Sequence, residues 1–162
     1  FPTRRSSDLM AFLSSMNIVA SGMTAQQLRL DVVAENVTNS TTTRTEAGGP
    51  YRRKMVVFRS VAGRDDFRMA MARAAGGLAP NAGASAAGGV RVTQIVEDPS
   101  PMKLVYDPAH PDANEDGYVE MPNVDMVKEM TDAMAATQAY SANVTAFNTL
   151  KSVVAKGLEI GR

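Results

Sequence analysis

The side chains able to do chemistry are few and scattered. His110 is the only histidine, and it sits between Pro108 and Pro111 in an acidic stretch. A histidine base needs a positioned partner, and no serine or cysteine nucleophile stands in a recognisable motif. Asp112-Ala113-Asn114-Glu115-Asp116-Gly117 reproduces the first half of a calcium-binding loop. The closing position of such a loop should be a bidentate glutamate. Here it is Asn123, and no helix precedes the loop. The stretch therefore reads as an acidic turn ahead of a strand. Arg52, Arg53 and Lys54 form a basic run with one aromatic neighbour, too small for a nucleic-acid surface. A charged strand edge or a contact to an acidic neighbour is expected there. Gly76-Gly77 and Gly88-Gly89 lack the strand-loop-helix setting of a phosphate loop. The residues thus predict no catalytic site, no cofactor and no metal.

Composition narrows the choice further. The chain has 162 residues, enough for one domain. Lys plus Arg (17) equals Asp plus Glu (17), so no net field gathers nucleic acid or an acidic membrane. The absence of Cys removes disulfides, thiol catalysis and thiolate metal sites. Eleven Met supply adaptable apolar contacts, useful in a protein that packs against several neighbours. No run reaches the ~18–20 apolar residues of a membrane span, so no membrane insertion is expected. No cleavable signal peptide is visible either; export would have to read another signal. Residues 1–9, FPTRRSSDL, resemble the translation of a common sequencing adapter, with a native start expected at Met10.

The elements that must position these residues are two long helices with a small insert between them. Met16, Met23, Leu30 and Val37 recur every seven residues, with Val19 and Val33 at the complementary spacing and Gln26 interrupting it. That is a coiled-coil seam with one polar position, predicting a helix from about Ala11 to Asn39, roughly 40 Å long. Ser21 and Gly22 inside it suggest either close approach of another backbone or a bend. Ser40 to Thr43 favour extended backbone and stop it. Gly48 to Pro50 predict a turn. Met55–Phe58, Val90–Val96, Lys103–Tyr106 and Tyr118–Met121 predict short strands that together make a small, partly open β unit. Arg64–Arg73 suggests a short helix, and the Ala/Gly-rich 74–89 a flexible loop. Pro122-Asn123 predicts a second helix start, with Asn123 capping and Asp125 at the positive end of the dipole. Val127, Met130, Met134, Thr137, Val144, Phe147, Val154 and Leu158 then follow three-four spacing, broken at Thr137 and Tyr140/Ser141. This helix should run to Ile160. A domain so small cannot cover it, so other chains must pack along it.

The fold class expected is mainly α with a small β insert. The terminal helices (10–40 and 122–162) pair as a coiled coil around an irregular β region (41–121). The stripe Met16, Met23, Leu30 and Val37 is expected to face Met130, Met134, Val144, Phe147 and Val154. Helices whose stripes are covered only by neighbours are expected to be partly ordered before assembly.

Particular residues also carry a resemblance. Ala20-Ser21-Gly22-Met23, Ala25-Gln26 and Asp31-Val32-Val33-Ala34-Glu35-Asn36-Val37-Thr38-Asn39 resemble the N-terminal signature of bacterial flagellar rod and hook proteins. Further stretches are similar to proximal-rod members: Thr43-Arg44-Thr45, Gly49 to Lys54, Val96 to Pro108, Pro111 to Val119, Met121 to Asp125, Tyr140 to Val144, and Leu158 to Gly161. Only residues 74–89 and the adapter-like head fall outside. One departure is Glu35 and Thr38, where the family commonly has Asn and Ala; Asn36 and Asn39 remain. The resemblance implies a structural subunit of the basal body, not an enzyme. Its helices would join an inner coiled-coil layer of a hollow rod around an export channel. The implied partners are copies of itself, other rod subunits and the flagellar export apparatus. The implied place is the rod beyond the cytoplasmic membrane. The implied interface comprises Met16, Val19, Ser21, Gly22, Met23, Gln26, Leu30, Val33, Asn36, Val37 and Asn39 on the first helix. On the second it comprises Val127, Met130, Met134, Tyr140, Asn143, Val144, Phe147, Val154 and Leu158. The alternatives are a distal-rod or hook subunit, which would carry a larger insert, a calcium-binding adaptor using the Asp112 loop, and a small hydrolase around His110.

Overall fold

The computed structural model describes residues 3–61, Met71 and 88–160. In chain order the elements are α1 (Thr3–Thr38), β1 (Lys54–Ser60), β2 (Val90–Glu97), β3 (Lys103–Tyr106), β4 (Tyr118–Met121) and α2 (Met126–Ile160). The mainly helical class with a small β insert is as expected from the sequence. The expected helix at 64–73 and the loop at 74–89 lie, apart from Met71, Gly88 and Gly89, outside the described residues.

Boundaries differ where local chemistry decides them. α1 starts at Thr3, ahead of Ala11, because no Gly or Pro stands in the way. It stops at Thr38, where the Asn39 side-chain amide and backbone N–H both donate to the Glu35 carbonyl, each at 3.0 Å. α2 starts at Met126. The expected cap, Asn123, is engaged elsewhere, and Asp125 does the capping: its Oδ1 accepts the Val127 N–H at 3.1 Å. The strands form two separate pairs, β1 with β2 and β3 with β4, and not one β unit. In the antiparallel β3–β4 pair, Leu104 opposes Glu120, Val105 opposes Val119 and Tyr106 opposes Tyr118.

The chain divides into two compact units, and each helix contributes to both. The first unit comprises residues 1–25, 58–93 and 139–162; the second comprises 26–57 and 94–138. In the second unit the buried apolar residues are Val32, Val33, Tyr51, Val119, Val124 and Ala136. A turn returns the chain from the end of α1 to this core. Gly48 and Gly49 adopt φ of +85° and +81°, conformations open to glycine, while the Tyr51 N–H donates to the Thr42 carbonyl at 3.0 Å.

In the first unit, the small residues of α1 mark a close backbone approach. Ser21 Oγ donates to the Ile18 carbonyl at 2.7 Å and accepts the Val90 N–H at 3.0 Å. Gly89, at φ +95°, leaves no room for a Cβ, which would overlap Ser21 Oγ and come within 3.4 Å of Ile18 Cα. Gly22 lies against Asn143, whose Nδ2 would be 3.0 Å from an added Cβ. Replacing Gly89 by Ala should therefore destabilise this unit by about 1–2 kcal/mol, read as a lower urea midpoint. Adding Ser21→Gly should recover only part of the loss, since it relieves the overlap and not the backbone strain.

Candidate functional site

The second unit is organised around a carboxylate with no solvent contact. Glu129 lies in the first turn of α2 and its side chain is 0% exposed. A bare carboxylate there would be costly; it is held because its oxygens are both engaged and the helix N-terminus favours negative charge. Oε1 accepts from Arg53 Nε at 2.6 Å, and Oε2 accepts from Asn36 Nδ2 at 3.0 Å. Arg53, also buried, faces Asp98 at 3.5 Å and Asp132 at 3.7 Å through its other nitrogens. Asp132 in turn accepts from Arg29 on α1 at 2.9 Å.

Asn36 uses every hydrogen-bonding position it has. Its Nδ2 donates to Glu129 and to the Lys54 carbonyl; its Oδ1 accepts from Tyr51 OH and from the Lys54 N–H, all four between 2.9 and 3.0 Å. Towards Lys54 the amide acts as a strand edge would, giving and taking one bond at the first residue of β1. Asn123 plays the same part on the other side. Its Oδ1 accepts the Arg53 N–H at 2.8 Å and its Nδ2 donates to the carbonyls of Asp98 and Ser100, each at 3.2 Å. The residue expected to cap α2 instead ties β1 to the end of β2. Glu35 is also engaged: it accepts from Lys54 Nζ at 2.5 Å.

This centre perturbs its own members. Burial, with the charges of Glu35, Glu129 and Glu97, pushes the Tyr51 phenol up to about 12. Burial alone would lower the Arg53 pKa, but the hydrogen bond and charge of Glu129 outweigh it and raise it. Hydrogen bonds from Ser100, then the charge of Arg53, hold Asp98 below the usual carboxylate value. Among the described residues these groups are locked in mutual bonds. The arrangement is a clamp and not a reaction centre.

The other candidate motifs are spent locally. Asp112 Oδ2 accepts from Thr43 Oγ1 at 2.8 Å and lies 3.8 Å from Arg44. Asn114 Oδ1 accepts the Tyr118 N–H. His110 Nδ1 accepts the Asp112 N–H at 3.1 Å.

The seam residues divide unevenly. On α1, Met16, Val19, Ser21, Gly22, Met23, Gln26, Leu30, Val37 and Asn39 are half-buried, and Val33 and Asn36 buried. The most buried line lies one residue to the side of the predicted stripe, through Ala25, Val32 and Asn36. Gln26 Oε1 is shielded from solvent and meets no donor among the described residues. On α2, Tyr140, Asn143, Val144, Phe147 and Val154 are half-buried, while the Leu158 side chain lies outside the described residues. Met130 and Met134, expected to face the α1 stripe, are instead exposed, at 60% and 62%, as is Val127 at 74%. The covered face runs through Glu129, Ala133, Ala136, Tyr140, Asn143, Phe147, Leu150 and Val154. It keeps unbroken four-three spacing, offset by one residue from Met130. Polar and small residues on it hid the seam from a search for apolar ones. Within the second unit, Asn36–Glu129 and Arg29–Asp132 join the two helices directly.

Two measurements check the clamp. Glu129→Ala leaves the Arg53 guanidinium buried without its closest partner and should cost about 3–5 kcal/mol; Asp132→Asn, with a more exposed partner, should cost about 1. Urea unfolding followed by circular dichroism reads both. A spectroscopic titration should show one of the four tyrosines ionising near pH 12, and Tyr51→Phe should abolish that step. The fold favours the neutral phenol. Its contribution is complete below pH 10 and is lost as pH rises towards 12, so stability should fall more steeply in that window than in Tyr51→Phe.

A clamp of mutually bonded side chains that joins two terminal helices suits a structural part, and the comparisons with known proteins agree. Residues 9–44 match the family model described as flagella basal body rod protein. Residues 115–160 match that of the flagellar basal body rod FlgEFG protein C-terminal. The flagellar basal-body rod protein FlgC of Bacillus subtilis is 46% identical over 157 residues, covering 94% of this chain and all of that one. That of Borreliella burgdorferi is 42% identical, covering 93% and 98%. That of Escherichia coli O157:H7 is 42% identical, covering 94% and 100%. The chain belongs to the FlgC family of flagellar basal-body rod proteins and is a structural subunit of the rod, not an enzyme.

Proposed function

We propose that the chain is a proximal-rod subunit that polymerises through α1 and α2 into the inner coiled-coil layer of a hollow drive shaft for motility. The relatives match it end to end, leaving no room for the larger middle insert of a distal-rod or hook subunit. Its neighbours are copies of itself and other rod subunits. It reaches the rod, beyond the cytoplasmic membrane, through the flagellar export apparatus. Among the described residues no helix is long and apolar enough to cross a membrane.

The observation that carries the helical interface is the division of α2 into two faces. Glu129 and Ala136 are wholly covered by the chain itself, whereas Met126, Val127, Met130 and Met134 stand 41–74% exposed. Met126, Met130 and Met134 fall at spacings of four, forming one stripe along the helix. A contiguous exposed apolar stripe signals an interaction surface, and methionines adapt to whichever neighbour docks. On α1, Leu13 and Ile18 are exposed in the same way, at 47% and 37%. The half-buried seam residues Met16, Val19, Met23, Leu30 and Val37, with Val144, Phe147 and Val154, complete the contact when neighbours dock.

Met134→Asp tests this directly. The residue is exposed in the single chain, so its stability should change by no more than about 0.5 kcal/mol. In an assembled rod the new charge would be buried without a partner. The variant should fold normally, yet fail to restore swarming to a strain lacking the native protein. Full motility would exclude this face from the interface. Leu30→Asp, half-buried already in the single chain, should abolish both assembly and much of the subunit's own stability.

A further inference from the structure

The chain holds eleven Met and no Cys, so thioethers are the only sulfur an oxidant can meet in it. Their exposure is uneven. Met126, Met130 and Met134 stand 41%, 60% and 62% exposed, whereas Met16, Met23, Met55, Met102 and Met121 are half-buried. Met71, at 63%, is the other exposed methionine among the described residues. The three on α2 are neighbours on one face, because residues four apart on a helix lie one turn above another. Val127, 74% exposed, falls three residues before Met130 and seven before Met134, and widens that face. The clamp occupies a different face of the same turns: Glu129 bonds Arg53 and Asn36, and Ala136 is wholly covered. A change of chemistry at the three sulfurs therefore alters the exposed face and leaves the subunit's own bonds intact.

A thioether needs no activation to react with a peroxide. The sulfur lone pair attacks one oxygen of hydrogen peroxide and the O–O bond breaks. That oxygen stays on sulfur, and the proton it carried passes to the departing hydroxide, which leaves as water. Sulfur gives up two electrons and becomes a sulfoxide, and the peroxide takes them. With no base or positioned group required, exposure sets the rate. The product presents a different surface, because a flexible apolar side chain has become polar, with an oxygen that accepts hydrogen bonds. In the free subunit water solvates that oxygen. Against an apolar neighbour it is buried without a donor, which weakens association about tenfold for each such group.

We propose that Met126, Met130 and Met134 are sites of peroxide oxidation, and that their sulfoxides exclude the subunit from the rod while leaving it folded. The proposal rests on the rod-subunit reading and adds a chemical switch to the face which that reading gives to neighbours. Leucine would supply a similar apolar contact without this sensitivity. The step is reversible: sulfoxide reductases, one for each sulfur epimer, return the thioether, with a dithiol as reductant. Once a neighbour docks, the same sulfurs are covered and lose their reactivity. The block therefore acts on free subunits and spares finished rods.

Two measurements test it. Hydrogen peroxide added to the purified full-length chain, with the products mapped by peptide mass spectrometry, should oxidise Met126, Met130, Met134 and Met71 about fivefold faster than Met16 or Met23. In isolated basal bodies the three α2 sites should slow by about the same factor. The second measurement compares paired variants in a strain lacking the native protein. Met130→Gln with Met134→Gln keeps the side-chain length and adds a polar oxygen. This pair should leave the urea midpoint unchanged and cut the amount of chain in basal bodies about tenfold or more. Met130→Leu with Met134→Leu should enter basal bodies as the native chain does, and keep swimming at a peroxide dose that stops the native strain. Met71→Leu should give no such resistance. The glutamine pair decides the question by itself if the leucine pair packs badly. A glutamine pair that enters rods as well as the native chain would overturn the proposal. So would α2 methionines that oxidise as fast in basal bodies as in the free chain, or a leucine pair that assembles yet stays as peroxide-sensitive as the native strain. A native chain missing from untreated basal bodies would overturn the rod reading instead.

Discussion

The second unit depends on one interaction: the buried carboxylate of Glu129 held between Arg53 and Asn36. Removing a carboxylate from water is expensive, and the arrangement persists only because every polar atom around it is answered. Arg53 neutralises the charge. Asn36 satisfies the second oxygen and passes order on to Tyr51 and Lys54. Each partner comes from a different segment: α1, the turn before β1, β1 itself, the end of β2 and the start of α2. The cost of leaving any one of them unpaired is what brings five pieces of chain to one place, in a region with few large buried apolar side chains.

Such a centre contributes more to specificity than to gross stability. An apolar core of equal volume would hold the helices together as strongly, and in several registers. Here, sliding α2 by one turn along α1 would part Glu129 from Asn36 and break the Arg29–Asp132 pair as well. Register would matter in a part that presents the proposed methionine stripe alike to every neighbour. The polar positions on the covered face of α2, Glu129 and Asn143, and the polar Gln26 and Asn36 of α1 fit that role.

The sequence made some of this legible and concealed the rest for physical reasons. Strands β3 and β4 were readable to the residue, because β-branched and aromatic side chains stand between Pro and Gly breaks. The long helices were readable from spacing. Their facing was only partly so: apolar periodicity selects Phe147 and Val154, which lie on the covered face, but also Met130 and Met134, where that face carries Glu129, Ala133 and Ala136 instead. The missed signal was Asn36, a polar residue between Val33 and Val37 that could be buried only with partners of its own. Arg53 was expected to touch an acidic neighbour, yet its partner Glu129 lies 76 residues away and nothing local points to it. Asn123 was the expected cap and Asp125 only a charge at the helix dipole; the capping fell to Asp125 because Asn123 is bonded to Arg53, Asp98 and Ser100 instead. Ser21 and Gly22 promised a close approach or a bend, and the Gly89 backbone realised the first.

The distribution of side chains separates inside from outside in an unusual way. In an independent globule the largest apolar residues are buried and polar ones are left to solvent. In this chain the wholly covered positions include Glu129 and Asn36, while methionines of α2, Leu104, Tyr106 and Ile95 stand exposed. The inversion has a simple logic if the surface of the subunit is the interior of something larger. Non-directional apolar contact supplies most of the free energy of association but little of its geometry. Directional hydrogen bonds and ion pairs fix geometry while adding little net energy. Using the polar set inside the subunit and the apolar set between subunits lets the shape be settled first and the assembly energy be added afterwards. A rod built of repeated subunits needs both, since strongly associated but ill-registered parts would not be uniform along its length.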